Sequence, residues 1–197
     1  MKRSRVAGAV LTALADKMAP RRPADWERYF ALLSRAAALG DAEAQENLGN
    51  WYLEGKVLRT GRVILPRTPM RGAKLLRLAA DAGNALAQVS LGHCYEAGLG
   101  VRRSLDAAVE QYRRAARGRQ WAAAWNLSVV AGQRGDRAGQ LRWLRRSAEW
   151  GSQEAVLELT KRERAARRRS TREGGRGPLR HPRSAWGGRG GCAAPCR

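Results

Sequence analysis

The sequence predicts an all-α protein, an α-solenoid of stacked antiparallel helix pairs, and three observations predict it. The first is composition: alanine, leucine, arginine and glycine dominate, Phe30 is the only phenylalanine, and β-branched residues are sparse. That mixture suits closely packed helices and suits a sheet poorly. The second is self-similarity, the mark of repeat architectures. Ala37, Ala80, Ala116 and Ala148 each lead, after the same interval, to a leucine: Leu48, Leu91, Leu127 and Leu159. The third is that those leucines lie 43, 36 and 32 residues apart, yet every irregularity falls in one kind of loop, between the two helices of a pair.

Residues 1–22 form an N-terminal basic segment or a first helix. Val6 to Met18 would pair with a second helix over Trp26 to Leu39, in which Trp26, Phe30 and Leu33 line one side. Asp25 is the expected N-cap of that helix, with Pro20 and Pro23 separating the two.

The repeat array spans residues 23–166, about three to four repeats. In the first helix of each pair, Ala44, Ala87, Ala123 and Ala155 precede the anchoring leucine by one turn. Tyr52 and Tyr95 follow it by one turn, so alanine, leucine and tyrosine share a stripe. Gly49 and Gly92, immediately after the leucine, let the paired helix approach closely; Ser128 and Thr160 are weaker substitutes. Gly55 and Gly98 are expected to stop the helix in a left-handed conformation. The second helix carries its large residue one turn before the anchoring alanine, as Leu33, Leu76, Tyr112 and Leu144. Gly40, Gly83 and Gly151 then end it, and Arg119 breaks that pattern. Each hairpin has an apolar face it cannot bury alone, so it stacks on its neighbours.

Residues 56–70 hold the excess of the first repeat, with Pro66, Pro69 and the apolar run Val63-Ile64-Leu65. This long loop either presents that run to a partner or is a tolerated insertion. The loop from Arg134 to Gln140 is correspondingly short. At the end of the array a helix is expected to continue from Lys161 to Arg169, with Gly174 and Gly175 ending regular structure. Residues 167–197 read as an Arg/Gly-rich disordered tail.

The run Ala85-Leu86-Ala87-Gln88-Val89-Ser90-Leu91-Gly92-His93-Cys94-Tyr95-Glu96-Ala97-Gly98-Leu99-Gly100-Val101 resembles a Sel1-like repeat. So do its continuation from Asp106 to Ala116 and the segment from Asp41 to Gly55, while the units beginning near Gln120 and Ser152 are degenerate. The resemblance covers roughly residues 25–160 and implies a right-handed superhelix of antiparallel helix pairs, related to tetratricopeptide arrays. It also implies an adaptor that gathers partners in signalling, secretion or envelope assembly. A cysteine-rich secreted branch of the family is linked to β-lactam binding or hydrolysis through paired cysteines in each repeat. Here Cys94 is the only cysteine within the array, which argues against carrying that activity over.

The chain carries a formal charge of +21. Residues 161–197 hold twelve Lys/Arg against Glu163 and Glu173, and residues 1–22 hold six against Asp16, so the ends carry most of it. Such ends attract nucleic acid, anionic membranes or acidic proteins without sequence specificity. Cys192 and Cys196 lack the second half of a zinc site, and His93 and His181 are isolated, so no metal or other cofactor is expected. No apolar run is long enough to cross a bilayer. The weak apolarity of Val6 to Ala15 favours a cytoplasmic protein; the alternative is a periplasmic or secreted one, with residues 1–15 as a signal peptide, and a transit peptide would look similar.

No nucleophile elbow, phosphate loop or His-Glu-x-x-His pair occurs, so no catalytic residue is named and a non-catalytic scaffold is expected. The family resemblance implies that first helices line the concave face. On them, Asn47, Asn50, Trp51, Ser90, His93 and Asn126 lie off the leucine stripe and are the candidate residues for binding a protein or peptide. Trp121, Trp125, Trp143 and Trp150 are expected mainly to fill core space, with a partner groove as the alternative. The competing functions are nucleic-acid association through the Arg-rich tail and, more remotely, β-lactam chemistry.

Overall fold

The structure is a computed structural model that describes residues 2–18, 20 and 22–174. Among them the chain forms α1 (Lys2–Asp16), α2 (Pro23–Ala38), α3 (Ala42–Glu54), β1 (Lys56–Val57), β2 (Val63–Leu65), α4 (Pro69–Asp81), α5 (Ala85–Ala97), α6 (Leu105–Arg117), α7 (Trp121–Gln133), α8 (Arg137–Glu149) and α9 (Gln153–Gly174). The expected solenoid of helix pairs is present: α1 packs on α2, α3 on α4, α5 on α6 and α7 on α8. The second helix of each of the first three pairs also packs on the first helix of the next. Residues 1–159 make one compact unit. The described part of the second unit is the continuation of α9 beyond residue 159, exposed over residues 161–168.

The repeat positions become core positions. Leu48, Leu91 and Leu127 are buried, and Leu159 is half-buried. Leu33, Leu76, Tyr112 and Leu144 are among the largest fully buried side chains. Each buried leucine contributes roughly 1.5–3 kcal/mol relative to leaving it in water. Small residues set the spacing between paired helices. A Cβ on Gly92 would lie 2.4 Å from the Tyr112 ring, and one on Gly49 would lie 2.9 Å from Leu76. Glycine is therefore required where α3 crosses α4 and where α5 crosses α6.

Polar residues then fix each junction. Asp41 and Asn84 cap α3 and α5 by accepting from Ala44 N (2.8 Å) and Ala87 N (2.9 Å), and Ser152 accepts from Ala155 N (3.2 Å) ahead of α9. Gln45 and Gln88 are buried at matching positions. Their amides donate to the carbonyls of Ala37 (3.0 Å) and Ala80 (3.1 Å), tying each first helix to the end of the preceding helix.

Several expectations are corrected. Helix α2 starts at Pro23, not after Asp25, because proline is preorganised for the first helical position. Asp25 instead lies in the first turn, where it accepts from Arg22 N at 3.1 Å. The long loop of the first pair is a two-stranded antiparallel hairpin, so the described residues are not wholly helical. Gly55 has positive φ (76°) but extended ψ (164°), which sends the chain straight into β1, whereas Gly98 takes the left-handed conformation expected of it. Leu65 turns inward and joins the first core cluster with Ile64 packed against it, leaving only Val63 of that run exposed. Helix α9 runs past Arg169 to Gly174, so residues 167–174 are helix rather than tail; residues 175–197 lie outside the described residues.

Candidate functional site

The first helices α3, α5 and α7 place polar side chains on a common groove of about 350 Å³. Asn50 comes from α3, Ser90 and His93 from α5, and Asn126 from α7. Leu53, Val89 and Leu99 supply apolar lining, and Glu54 adds a carboxylate at the end of α3. Four of the six residues singled out from the sequence thus meet in one place. The side-chain amides can pair with a peptide backbone, and the apolar lining gives side chains area to bury.

The orientation of Asn50 is fixed from beneath. Its amide nitrogen donates to Glu46 Oε1 at 2.6 Å, which holds the carboxamide in place and leaves its carbonyl oxygen and second N–H for other partners. Glu46 is itself buried, and burial pushes its pKa above the ordinary glutamate value, with the Asn50 hydrogen bond opposing the rise.

Asn126 also lines an adjoining groove of about 340 Å³, formed with Trp121, Ala122, Trp125 and Glu154. The four tryptophans of this region therefore divide. Trp143 and Trp150 pack against the core as expected, whereas Trp121, 41% exposed, and Trp125 face the groove. Trp121 and Trp125 thus line a groove, the second of the two places that the sequence left open for them, rather than filling core space. The signal was available, since both lie on a first helix beside Asn126.

The other two candidates are placed elsewhere. Asn47 is half-buried and lines none of these grooves. Trp51 packs into an aromatic cluster with Trp26, Tyr29 and Phe30, its ring 5.4 Å from that of Trp26 and 5.6 Å from that of Phe30. The Lys56 ammonium sits 4.0 Å above the Trp26 ring, a cation–π contact that pins β1 to this cluster. Trp51 is thus a structural residue where the hairpin meets α2.

Cys94 is fully buried, and burial pushes its thiol up to about 11, far from a reactive thiolate. Tyr112 is buried with its hydroxyl donating to Glu96 Oε2 at 2.8 Å, and its pKa is raised by burial and by that bond. Among the described residues no three His, Cys, Asp or Glu side chains are grouped to hold a metal, and no helix is long and apolar enough to cross a membrane.

Comparison with known proteins agrees with this architecture. Residues 42–84 and 85–119 match the Sel1 repeat, so α3 with α4 and α5 with α6 are two such repeats. A stretch of 90 residues, 46% of the chain, is 42% identical to mouse (Mus musculus) DAP3-binding cell death enhancer 1 and 36% identical to its rat (Rattus norvegicus) counterpart. The chain spans only 16% of the length of those relatives. Among solved structures, c5321, a protective antigen of uropathogenic Escherichia coli with an SLR fold, superposes with a TM-score of 0.60 at 24% identity, over 68% of this chain and 28% of that one. A Sel1 repeat protein from Oxalobacter formigenes superposes with a TM-score of 0.59 at 23% identity, over 68% of this chain and 54% of that one. These likenesses concern the fold.

Proposed function

We propose, from the premise that residues 42–119 are two Sel1 repeats in a longer stack of helix pairs, that this chain is a non-catalytic scaffold holding a protein partner on its first-helix face. The observation that carries the reading is the convergence of Asn50, Ser90, His93 and Asn126, from three successive first helices, on one groove with apolar walls. Such a groove suits an extended segment of the partner. Backbone amides of that segment pair with the asparagine side chains, and an apolar side chain rests against Val89 and Leu99. The carboxylates of Glu54 and, in the adjoining groove, Glu154 favour a segment with a basic residue. Trp121 and Trp125 add the large, rigid contact area that dominates many interfaces.

The rodent relatives are named for binding DAP3, and their match with this chain makes DAP3 the first partner to test. Titration calorimetry of the purified chain against DAP3 is expected to show saturable binding. Replacing Asn50, Ser90 and Asn126 together by alanine is expected to weaken it about tenfold or more, with the helical circular dichroism unchanged. Equal affinity of the triple variant would remove the groove from the account. Absence of binding by the wild-type chain would remove DAP3.

A further inference from the structure

The junctions between successive second helices are not equivalent. Between α4 and α6 the surface is closed by a polar clasp. Arg77 donates to the Tyr95 hydroxyl at 3.0 Å, and Arg114 reaches back to the Ala80 carbonyl at 3.0 Å and to Asp81 at 3.4 Å. Gln111 supports Arg114 at 3.4 Å.

One repeat earlier, between α2 and α4, the same register positions hold Ser34 for Arg77, Ala38 for Asp81, Leu75 for Gln111 and Leu78 for Arg114. Every member of the clasp except the tyrosine is replaced by a small or apolar side chain. What remains is an open groove of about 520 Å³, floored by Leu48 and Tyr52 of α3. Its wall on the α2 side is small, which admits a backbone closely. Its α4 side carries Arg71 and Lys74, and Lys74 occupies the position that Glu110 holds in the next repeat. Leu78 is 49% exposed at its edge.

We infer that this α2–α4 groove is a second docking site, sharing no lining residue with the first-helix groove, for an acidic protein segment bearing apolar anchors. The charges select the occupant. Among the described residues Arg71 and Lys74 line the groove and no carboxylate does, so carboxylates of the incoming segment pair with them while leucine- or phenylalanine-like side chains fill the space over Leu48, Leu75 and Leu78. The chain's own residues 175–197 contain five arginines and no acid, which makes them the wrong sign for this groove. An open groove between two helices suits a peptide better than the enclosed cavity that would bury a small amphiphile.

The test uses the full chain and a short fluorescein-labelled peptide in which leucine and phenylalanine alternate with glutamate, followed by fluorescence anisotropy at low salt. Saturable binding is expected, and a peptide with lysine in place of glutamate is expected to bind about tenfold more weakly or less. The decisive variant is Ala38→Asp with Leu78→Arg, which writes the clasp of the next junction into this one. Both positions are exposed, so the fold is expected to survive, as an unchanged thermal melt would verify. Loss of binding by about tenfold or more in that variant, and in Arg71→Glu with Lys74→Glu, supports the site. The Asn50, Ser90 and Asn126 alanine variant is expected to bind this peptide normally, which separates this site from the first-helix groove. Undiminished binding after Ala38→Asp with Leu78→Arg would assign the peptide to the arginine-rich end and overturn the site. So would equal binding of the lysine peptide, no binding by the wild-type chain, or laurate binding where the peptide does not.

Discussion

Arg119 stands at the end of α6's turn with φ of 55°, the one non-glycine residue at positive φ among those described. Gly40, Gly83 and Gly151 occupy the matching place in the other pairs, each with positive φ. An L residue pays roughly 1–2 kcal/mol for this conformation, offset in part by the greater freedom glycine loses on folding. Arg119→Gly is therefore expected to stabilise the chain by about 0.5–1 kcal/mol in denaturant titrations. Glu46 shows a related mismatch, since its counterparts in the next repeats are Val89 and Trp125. Burial raises its pKa, so the folded chain holds this proton at pH values where the unfolded chain has released it. Glu46 then costs stability as the pH rises through and above the ordinary glutamate range. Glu46→Gln is expected to stabilise the chain at neutral pH, and its advantage is expected to shrink as the pH falls towards about 4. An advantage independent of pH would show that ionisation of Glu46 is not the cause.

Elements were legible in proportion to how strictly the repeat constrains them. Alanine, leucine and glycine recur because paired helices must approach to a fixed distance, and the same constraint predicts the effect of violating it. Gly92→Ala would bring its Cβ to 2.4 Å from the Tyr112 ring, and a loss of about 1–3 kcal/mol is expected in thermal or chemical unfolding. The hairpin β1–β2 was not legible, because insertions escape the repeat and its few residues carry no alternating pattern long enough to read. The candidate site was legible in part. Asn50, Ser90, His93 and Asn126 were found because they flank the leucine stripe. The place of Trp51 in an aromatic cluster went unread although the register hinted at it, since its counterparts Cys94 and Val130 are both buried. The glutamines that tie one pair to the next, Gln45 and Gln88, went unread because a buried amide looks like a surface residue until its carbonyl partner is known.

At the scale of the whole molecule, the stack offers two faces with different chemistry. The first-helix face carries asparagines, tryptophans and the carboxylates of Glu54 and Glu154, and the second-helix face opens one apolar groove beside Arg71 and Lys74. Neither face needs chemistry to be useful: a stack of rigid pairs holds spaced side chains in fixed relation, which is what recognition of an extended partner requires. Amide hydrogen exchange on the full chain, alone and with DAP3, tests the proposed binding face most directly. Slowed exchange is expected in α3, α5 and α7 around Asn50, Ser90, His93 and Asn126. Protection confined to the basic residues after 160, or no change in the first helices, would contradict it.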